Sequence, residues 1–293
     1  MCSSFVYKGD RIAYEEYGSG DRPLVLVHGL LMNRRMFERL APELAQRGNR
    51  VICVDLLGHG ESDRPLDIQT YGMSNFADEV EALLDHLGLD QAVVGGTSLG
   101  ANVGLELTAR HPERVRALFV EMPVLDNALL AVALIFTPVM AGLRFGAPLL
   151  QGIAAATRLI PRTNHFVDIG LDWVRQDPQP SLAVLEGLLT QRTCPPHDER
   201  VTFEQPAFVV GHRGDPLHPF SDSGMLAEEM PNAHLVNANS ILEWRLRPDR
   251  LTDEFSAWLD EIWTAPEATP ARSPRKGQAA GDNGQPPQAV TEG

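Results

Sequence analysis

A serine stands between two glycines in the pentapeptide GTSLG at residues 96–100. Residues 91–94 before it form an apolar run typical of a strand, and residues 101–110 after it have the composition of a helix. A serine on a sharp turn between strand and helix has an exposed hydroxyl, as a nucleophile in acyl transfer requires. The turn also directs the backbone N–H of Leu99 toward the place where negative charge develops in such reactions. Ser98 is therefore the candidate nucleophile.

Three further motifs support this interpretation, in the order in which they follow along the chain. They are VLVHG at residues 25–29, DLLGHGESD at residues 55–63 and GHRGD at residues 211–215. Together with GTSLG, they resemble the α/β-hydrolase fold superfamily, in its capped serine hydrolase form, over roughly residues 5 to 264. The resemblance implies an α/β fold with a mostly parallel eight-stranded sheet, flanking helices and an inserted helical cap.

The alternation of apolar strand patterns with helical patterns agrees with such a sheet, whose ligand chemistry lies at the carboxyl ends of the strands. The alternation is interrupted over residues 122–204. We therefore predict a core formed by residues 1–121 and 205–264, with residues 122–204 as the helical cap. Residues 265–293 are rich in Pro, Gly, Ala and Gln without periodicity, which predicts a disordered tail.

The resemblance assigns further parts of a catalytic site. The residue after the His-Gly of the first motif supplies the second oxyanion N–H in the family, and here that residue is Leu30, beside Leu99. Asp215 lies where the family has its acid, although an Asx-turn before Pro216 is an alternative interpretation. His28 and His59 are expected to be structural.

The general base is the departure from the family pattern. The family's histidine follows the eighth strand, where this chain reads NANSILEWR at residues 237–245, without histidine. His218, three residues after Asp215, is the candidate base. The open alternatives are His165 or His197 from the cap, Glu243 in the usual histidine loop, or no base.

Composition limits the other possibilities. A net charge of −14 argues against nucleic-acid and anionic membrane surfaces, which need concentrated positive charge. No metal-ligand spacing, phosphate loop or dinucleotide fingerprint is evident, so neither a metal nor a cofactor is expected. The amino terminus lacks a signal-peptide pattern, and cytoplasmic residence is the default expectation. The oligomeric state cannot be predicted.

Residues 128–143 contain no charged residue. We interpret them as the lining of a hydrophobic substrate pocket or as a buried cap core; shallow membrane contact is a third and less favoured alternative. The sequence thus predicts a serine-dependent hydrolase of an ester, thioester or related acyl compound with a hydrophobic group. The alternative is a non-catalytic binding or regulatory protein of the same fold that has lost the base. A changed reaction, such as acyl transfer, lyase chemistry or cofactor-free perhydrolysis, is a third hypothesis.

Overall fold

The computed structural model describes residues 2–162, 164–215, 217–240 and 243–266. The predicted disordered tail lies outside these residues from position 267 onward. The strands are β1 (Cys2–Tyr7), β2 (Asp10–Tyr17), β3 (Pro23–Val27), β4 (Arg50–Asp55), β5 (Ala92–Thr97), β6 (Val115–Glu121), β7 (Ala207–His212) and β8 (Ala233–Ala238).

The strands form one sheet in the order β1-β2-β4-β3-β5-β6-β7-β8. The β1/β2 and β2/β4 pairs are antiparallel, and every other neighbouring pair is parallel. The predicted α/β fold with a mostly parallel eight-stranded sheet is thereby confirmed. The carboxyl ends of β3, β5, β6, β7 and β8 meet at one edge, where the loops carrying the candidate site residues also lie.

Helices cover both faces of the sheet and form the insertion between β6 and β7. They are α1 (Leu40–Gln46), α2 (Met73–His86), α3 (Leu99–Arg110), α4 (Leu129–Phe145), α5 (Ala147–Thr157), α6 (His165–Val174), α7 (Pro178–Leu188), α8 (His197–Arg200), α9 (Phe220–Glu229), α10 (Glu243–Leu246) and α11 (Asp249–Thr264). Short 3-10 helices occupy Arg34–Phe37, Ile68–Thr70 and Pro112–Arg114.

The buried strand β3 shows how the apolar sequence builds two cores. All five of its residues are buried. Because side chains alternate along a strand, Val25 and Val27 pack into the core under α2 and α3, whereas Leu24 and Leu26 pack into the core under α1 and α11. A strand covered on both faces needs such a continuous apolar run, which fixes β3 in the middle of the sheet.

The insertion between β6 and β7 is fastened to the core at both ends by buried charged side chains. Asp222, which is fully buried, accepts the N–H groups of Leu125 at 2.8 Å and of Ala128 at 3.2 Å just before α4. At the other end, the fully buried guanidinium of Arg200 donates to Glu229 at 2.6 Å. These contacts fix the entry and exit of the helical insertion relative to the sheet.

Helix α4 is unusual in that none of its 17 residues is buried. It packs against α5 and α7 and leaves the rest of its surface to solvent. The interpretation of residues 128–143 as a buried cap core is therefore wrong for α4, whereas a pocket-lining role stays a prediction. No single helix of the described chain is long and apolar enough to cross a membrane, but α4 and α5, which meet at 90°, pass that length and composition test as a pair.

Candidate active site

Ser98 occupies a strained turn between the last residue of β5 and the first residue of α3. Its backbone has φ 54° and ψ −107°, in the positive-φ region that side chains other than glycine rarely adopt. The turn is held because the Ser98 N–H donates to the carbonyl of Glu121 at 2.8 Å, and the Ser98 carbonyl accepts from Asn102 at 3.0 Å. Such strain costs roughly 1–3 kcal/mol and persists only where surrounding contacts over-determine it.

The two glycines of the pentapeptide are required by the close approach of β3. A Cβ atom on Gly96 would lie 1.8 Å from the carbonyl oxygen of Val27, and one on Gly100 would lie 1.9 Å from the same oxygen. Any side chain at either position would push the turn away from the sheet. The spacing of the glycines around Ser98 therefore follows from the packing of this turn.

His218 lies beside Ser98 and not in the loop where the family has its base. The His218 Nε2 atom is 2.9 Å from Ser98 Oγ, and His218 Nδ1 is 2.9 Å from Asp215 Oδ2. An ionised carboxylate only accepts hydrogen bonds, so Nδ1 carries the proton and donates to Asp215. Nε2 is then free to accept the Ser98 hydroxyl proton. The structure thus brings together the three side chains that the sequence nominated as nucleophile, base and acid.

Asp215 is oriented by its own loop. Its Oδ1 atom accepts the backbone N–H groups of Leu217 at 2.9 Å and His218 at 3.0 Å, which leaves Oδ2 for the imidazole. Burial acts to raise the pKa of Asp215, but the hydrogen bonds from the side chain and backbone of His218 outweigh it and lower the pKa below its ordinary value. Asp215 is therefore ionised at neutral pH.

Leu30 and Leu99 are placed as the predicted oxyanion donors require. Leu30 follows β3 in a tight turn in which the Met32 N–H donates to Gly29 and Leu31 has φ 56°. Leu99 is the first residue of α3. Within the described ranges, neither the Leu30 N–H nor the Leu99 N–H donates to another protein group. Both donors are available to a ligand, and their oxyanion role stays a prediction.

The other candidate bases are occupied elsewhere. His165 lies 3.8 Å from Glu38, and His197 is bonded to Glu229 at 2.8 Å on the surface. Glu243 accepts from Arg250 at 2.7 Å, and that contact comes first among the causes that lower its pKa. In the described part of the chain, His218 is the side chain that bonds to the Ser98 hydroxyl.

His28 and His59 are buried and bond to backbone groups. His28 Nε2 accepts the Leu56 N–H at 3.1 Å, so its Nδ1 donates to the Gly29 carbonyl at 2.8 Å. His59 Nδ1 lies 2.9 Å from the carbonyl of Leu57. Burial lowers the pKa of both histidines, which keeps them neutral. These contacts hold the loops after β3 and β4, in keeping with the structural roles expected for them.

A buried ion pair beneath Ser98 was missed by the sequence analysis. The carboxylate of Glu121, at the end of β6, accepts from the guanidinium of Arg245 and from the hydroxyl of Thr97. His212 Nε2 lies 3.5 Å from the same carboxylate. Burial acts to raise the pKa of Glu121, but Arg245 outweighs it and holds the pKa well below its usual range. An acidic residue at the end of a buried strand next to β5 was the signal that could have revealed this pair.

One group of possible metal ligands occurs among the described residues, formed by Asp78, Glu81 and His111. It lies at the carboxyl-terminal end of α3, whereas Ser98 precedes the amino-terminal end, and Asp78 is already paired with Arg110 at 2.6 Å. This group is therefore separate from the candidate active site. The expectation that no metal or cofactor takes part stays a prediction.

Comparison with known proteins decides the family. A family profile described as alpha/beta hydrolase fold matches residues 22–148. Pimeloyl-[acyl-carrier protein] methyl ester esterase of Aeromonas hydrophila subsp. hydrophila is 31% identical over 245 residues, which cover 77% of this chain and 89% of that protein. The chain belongs to the α/β-hydrolase fold family.

Two other comparisons show how far the similarity extends. AB hydrolase superfamily protein YisY of Bacillus subtilis (strain 168) is 41% identical over 97 residues, so the chain spans only 35% of that relative's length and the relative matches 33% of the chain. The crystal structure of the enol-lactonase from Burkholderia xenovorans LB400 superimposes with a TM-score of 0.70 at 19% identity, covering 90% of this chain and 100% of the enol-lactonase. At that identity the superposition supports the fold alone.

Proposed function

We propose that this member of the α/β-hydrolase family is a serine-dependent hydrolase that forms an acyl-enzyme on Ser98. The observation that carries the proposal is the hydrogen-bonded chain from Ser98 Oγ through His218 to Asp215, with both contacts at 2.9 Å. A nucleophile, a base in contact with it and a group that orients the base are the parts that acyl transfer through serine needs.

The proposed reaction begins when Ser98 Oγ attacks the acyl carbonyl while its proton passes to His218 Nε2. The Leu30 and Leu99 N–H groups donate to the oxyanion of the tetrahedral intermediate, each contributing roughly 3 kcal/mol if it acts as oxyanion donors do elsewhere. The intermediate collapses as His218 returns the proton to the leaving oxygen or sulfur. Water, activated by His218, then attacks the acyl-enzyme and releases the acid and free Ser98.

The proposed substrate is an ester, a thioester or a related acyl compound with a hydrophobic group. The charge-free segment 128–143 supports this class, because an apolar cap segment favours an apolar acyl group over a peptide. The name of the Aeromonas relative, a methyl ester esterase, also supports an ester. The comparisons do not extend to a particular substrate.

The non-catalytic alternative was motivated by the absence of histidine from the loop after β8. The contact of His218 with Ser98 removes that motivation, because a base is available from the loop after β7. The alternative remains an outcome of the experiment that follows.

The test is intact-mass measurement of labelling by a fluorophosphonate, with wild type compared with Ser98→Ala, His218→Ala and a control, His197→Ala. His197 is an exposed histidine paired with Glu229, so its removal alters a histidine without touching the site. We expect stoichiometric labelling of wild type and His197→Ala, none of Ser98→Ala, and labelling of His218→Ala slowed by at least about 10³-fold, the scale seen when a triad base is removed.

Each contrary result has a definite meaning. Full-rate labelling of His218→Ala would move the base elsewhere, and labelling of Ser98→Ala would remove Ser98 as the nucleophile. A wild-type chain that stays unlabelled, and binds long-chain acyl esters without turnover, would support the non-catalytic alternative. Products of turnover other than the acid and alcohol would point to a changed reaction.

A further inference from the structure

Large apolar side chains lie exposed along α4, along α5 and just beyond α5. Leu130, Leu134, Phe145, Leu149 and Leu159, which we term the cap patch, are 68–86% exposed. Soluble monomers rarely expose apolar groups over so extended a surface, and such surfaces mark sites of interaction. The patch therefore calls for an occupant.

The α4 part of the patch forms a straight stripe. Leu130, Leu134, Ala141 and Phe145 are all exposed and fall within about 60° of one another around the helix axis at 100° per residue. The 17 residues of α4 extend over about 26 Å, less than the roughly 30 Å of a hydrocarbon core, and the chain turns through 90° into α5. This geometry suits helices that lie in an interface and does not suit a spanning helix.

Charge around the cap patch differs from that of the rest of the protein. All 39 Asp and Glu residues lie outside residues 127–167, where the charged side chains are Arg144, Arg158 and Arg162. Arg144 is paired with Glu186 and Arg162 with Asp172. Arg158 is exposed and has no ion-pair partner within the part of the chain that the structure describes. An apolar surface bordered by cationic side chains complements a surface of acyl chains and phosphate groups.

Two other occupants fit the cap patch less well. Residues 267–293 contain no Leu, Ile, Met, Phe, Trp or Tyr, and so offer little apolar surface to cover it. A second copy of the chain, in a symmetric contact, would bring the patch against itself and place the same arginine residues of both copies in one interface. Phospholipid provides the complementary negative charge that both of these occupants lack.

We propose that the cap patch docks on the surface of a phospholipid bilayer, with the apolar side chains among the upper acyl chains and Arg158 at the phosphate groups. The helical insertion leaves the sheet after β6 and returns at β7, at the edge that carries Ser98. Docking therefore turns the Ser98 edge toward the bilayer. The proposal concerns binding alone and does not depend on the function proposed for Ser98.

This proposal departs from the expectation based on net charge. That expectation treated −14 as one quantity, whereas the negative residues all lie outside residues 127–167. Exposed charges further than about 8 Å apart are largely screened at physiological ionic strength. The acidic body of the protein therefore does not prevent contact through the cap.

The test is flotation of the full chain with vesicles of phosphatidylcholine, with and without phosphatidylglycerol. The variants are Leu134→Asp on α4, Leu149→Asp on α5 and, as the control, Val6→Asp, an equally exposed apolar position on the edge strand β1. We expect wild type, Ser98→Ala and Val6→Asp to float with vesicles alike. Because an apolar side chain is lost from the lipid in each, we expect Leu134→Asp and Leu149→Asp to partition about tenfold less. Arg158→Glu should weaken binding most for vesicles that contain phosphatidylglycerol.

Thermal unfolding and sedimentation velocity accompany the flotation. Unchanged melting of the variants, whose altered side chains are exposed, ties lost flotation to the surface and not to the fold. Absence of flotation of wild type, or equal loss in Val6→Asp, would overturn the proposal. A wild-type dimer that Leu134→Asp converts to a monomer, without vesicle binding by either, would assign the patch to a second copy and also overturn it.

Discussion

Replacement of Asp215 by Asn tests the proposed catalytic chain most directly. Asp215 Oδ1 accepts two backbone N–H groups, and Oδ2 accepts the proton on His218 Nδ1. An asparagine has one oxygen, and the two N–H donors of the loop at 2.9 and 3.0 Å will hold it. Its NH₂ group then faces His218 Nδ1, which must become the acceptor. The proton moves to Nε2, and His218 can no longer take the proton of Ser98.

The magnitude follows from the loss of the correct tautomer. In a serine protease, the same change in the acid lowers turnover about 10⁴-fold, which corresponds to ~5.4 kcal/mol of transition-state stabilisation. We expect a loss of similar order here, both in the rate of fluorophosphonate labelling and in the turnover of an activated ester. The melting temperature should change little, because Asn preserves the size of the side chain and its bonds to the loop.

The assay compares Asp215→Asn with Asp198→Asn, an exposed aspartate at the start of α8. The rate constant for acylation is measured by intact mass over time, and unfolding is followed in parallel. If Asp215→Asn labels within tenfold of wild type while unfolding normally, then Asp215 does not orient the base, and the hydrogen-bonded chain is structural. A large loss of rate that is accompanied by a large loss of stability would instead assign Asp215 to the integrity of its loop.

Three other predictions concern the scaffold. Gly100→Ala should destabilise the fold by ~1–3 kcal/mol in urea and slow labelling, because its Cβ meets a backbone carbonyl of β3, whereas Gly152→Ala, with open space around it, should stabilise α5 by ~0.5–1 kcal/mol; equal effects would refute the close-approach argument. Burial raises the pKa of Glu79 from 4.5 to about 8, so the folded state keeps a proton that the unfolded state loses, and stability falls as pH rises through this window. Glu79→Gln should therefore be ~3–5 kcal/mol more stable than wild type near pH 8 and no more stable near pH 4, as urea titrations at the two pH values will show. Arg245→Met should cost ~3–5 kcal/mol by leaving the Glu121 carboxylate buried and unpaired, and a double replacement of both residues by methionine should recover most of it; a double variant as unstable as the single one would contradict this account.

Local patterns allowed most of the fold and part of the site to be predicted. The turn at Ser98 lies within five consecutive residues, so its glycines and strand-to-helix context are visible in the sequence. The strands of the sheet are continuous apolar runs, and β3 is the clearest example. Asp215 follows β7 directly, which placed it at the carboxyl edge. In each case, the information lies within a few residues of the feature it predicts.

Contacts between distant residues were not predictable in the same way. The sequence left His218 as one candidate base among several, because the choice depends on which loop reaches Ser98 across 120 positions. The pair of Glu121 and Arg245 spans 124 positions and was missed. The exposure of α4 was also not foreseen, since an apolar run has the same composition whether it faces a core, a pocket or solvent.

The position of the base explains why the loop after β8 is free for another task. β7 and β8 are adjacent parallel strands, so their following loops reach the same edge of the sheet. Asp215 and His218 are three residues apart in the first of these loops, and one short segment therefore supplies both the orienting acid and the imidazole. The segment after β8 instead delivers Arg245 to Glu121, beneath the turn that carries Ser98. One loop thus provides the hydrogen-bonded partners of Ser98, and the other supports the strand ends from which Ser98 projects, so changes in the second loop should affect stability more than the protonation of His218.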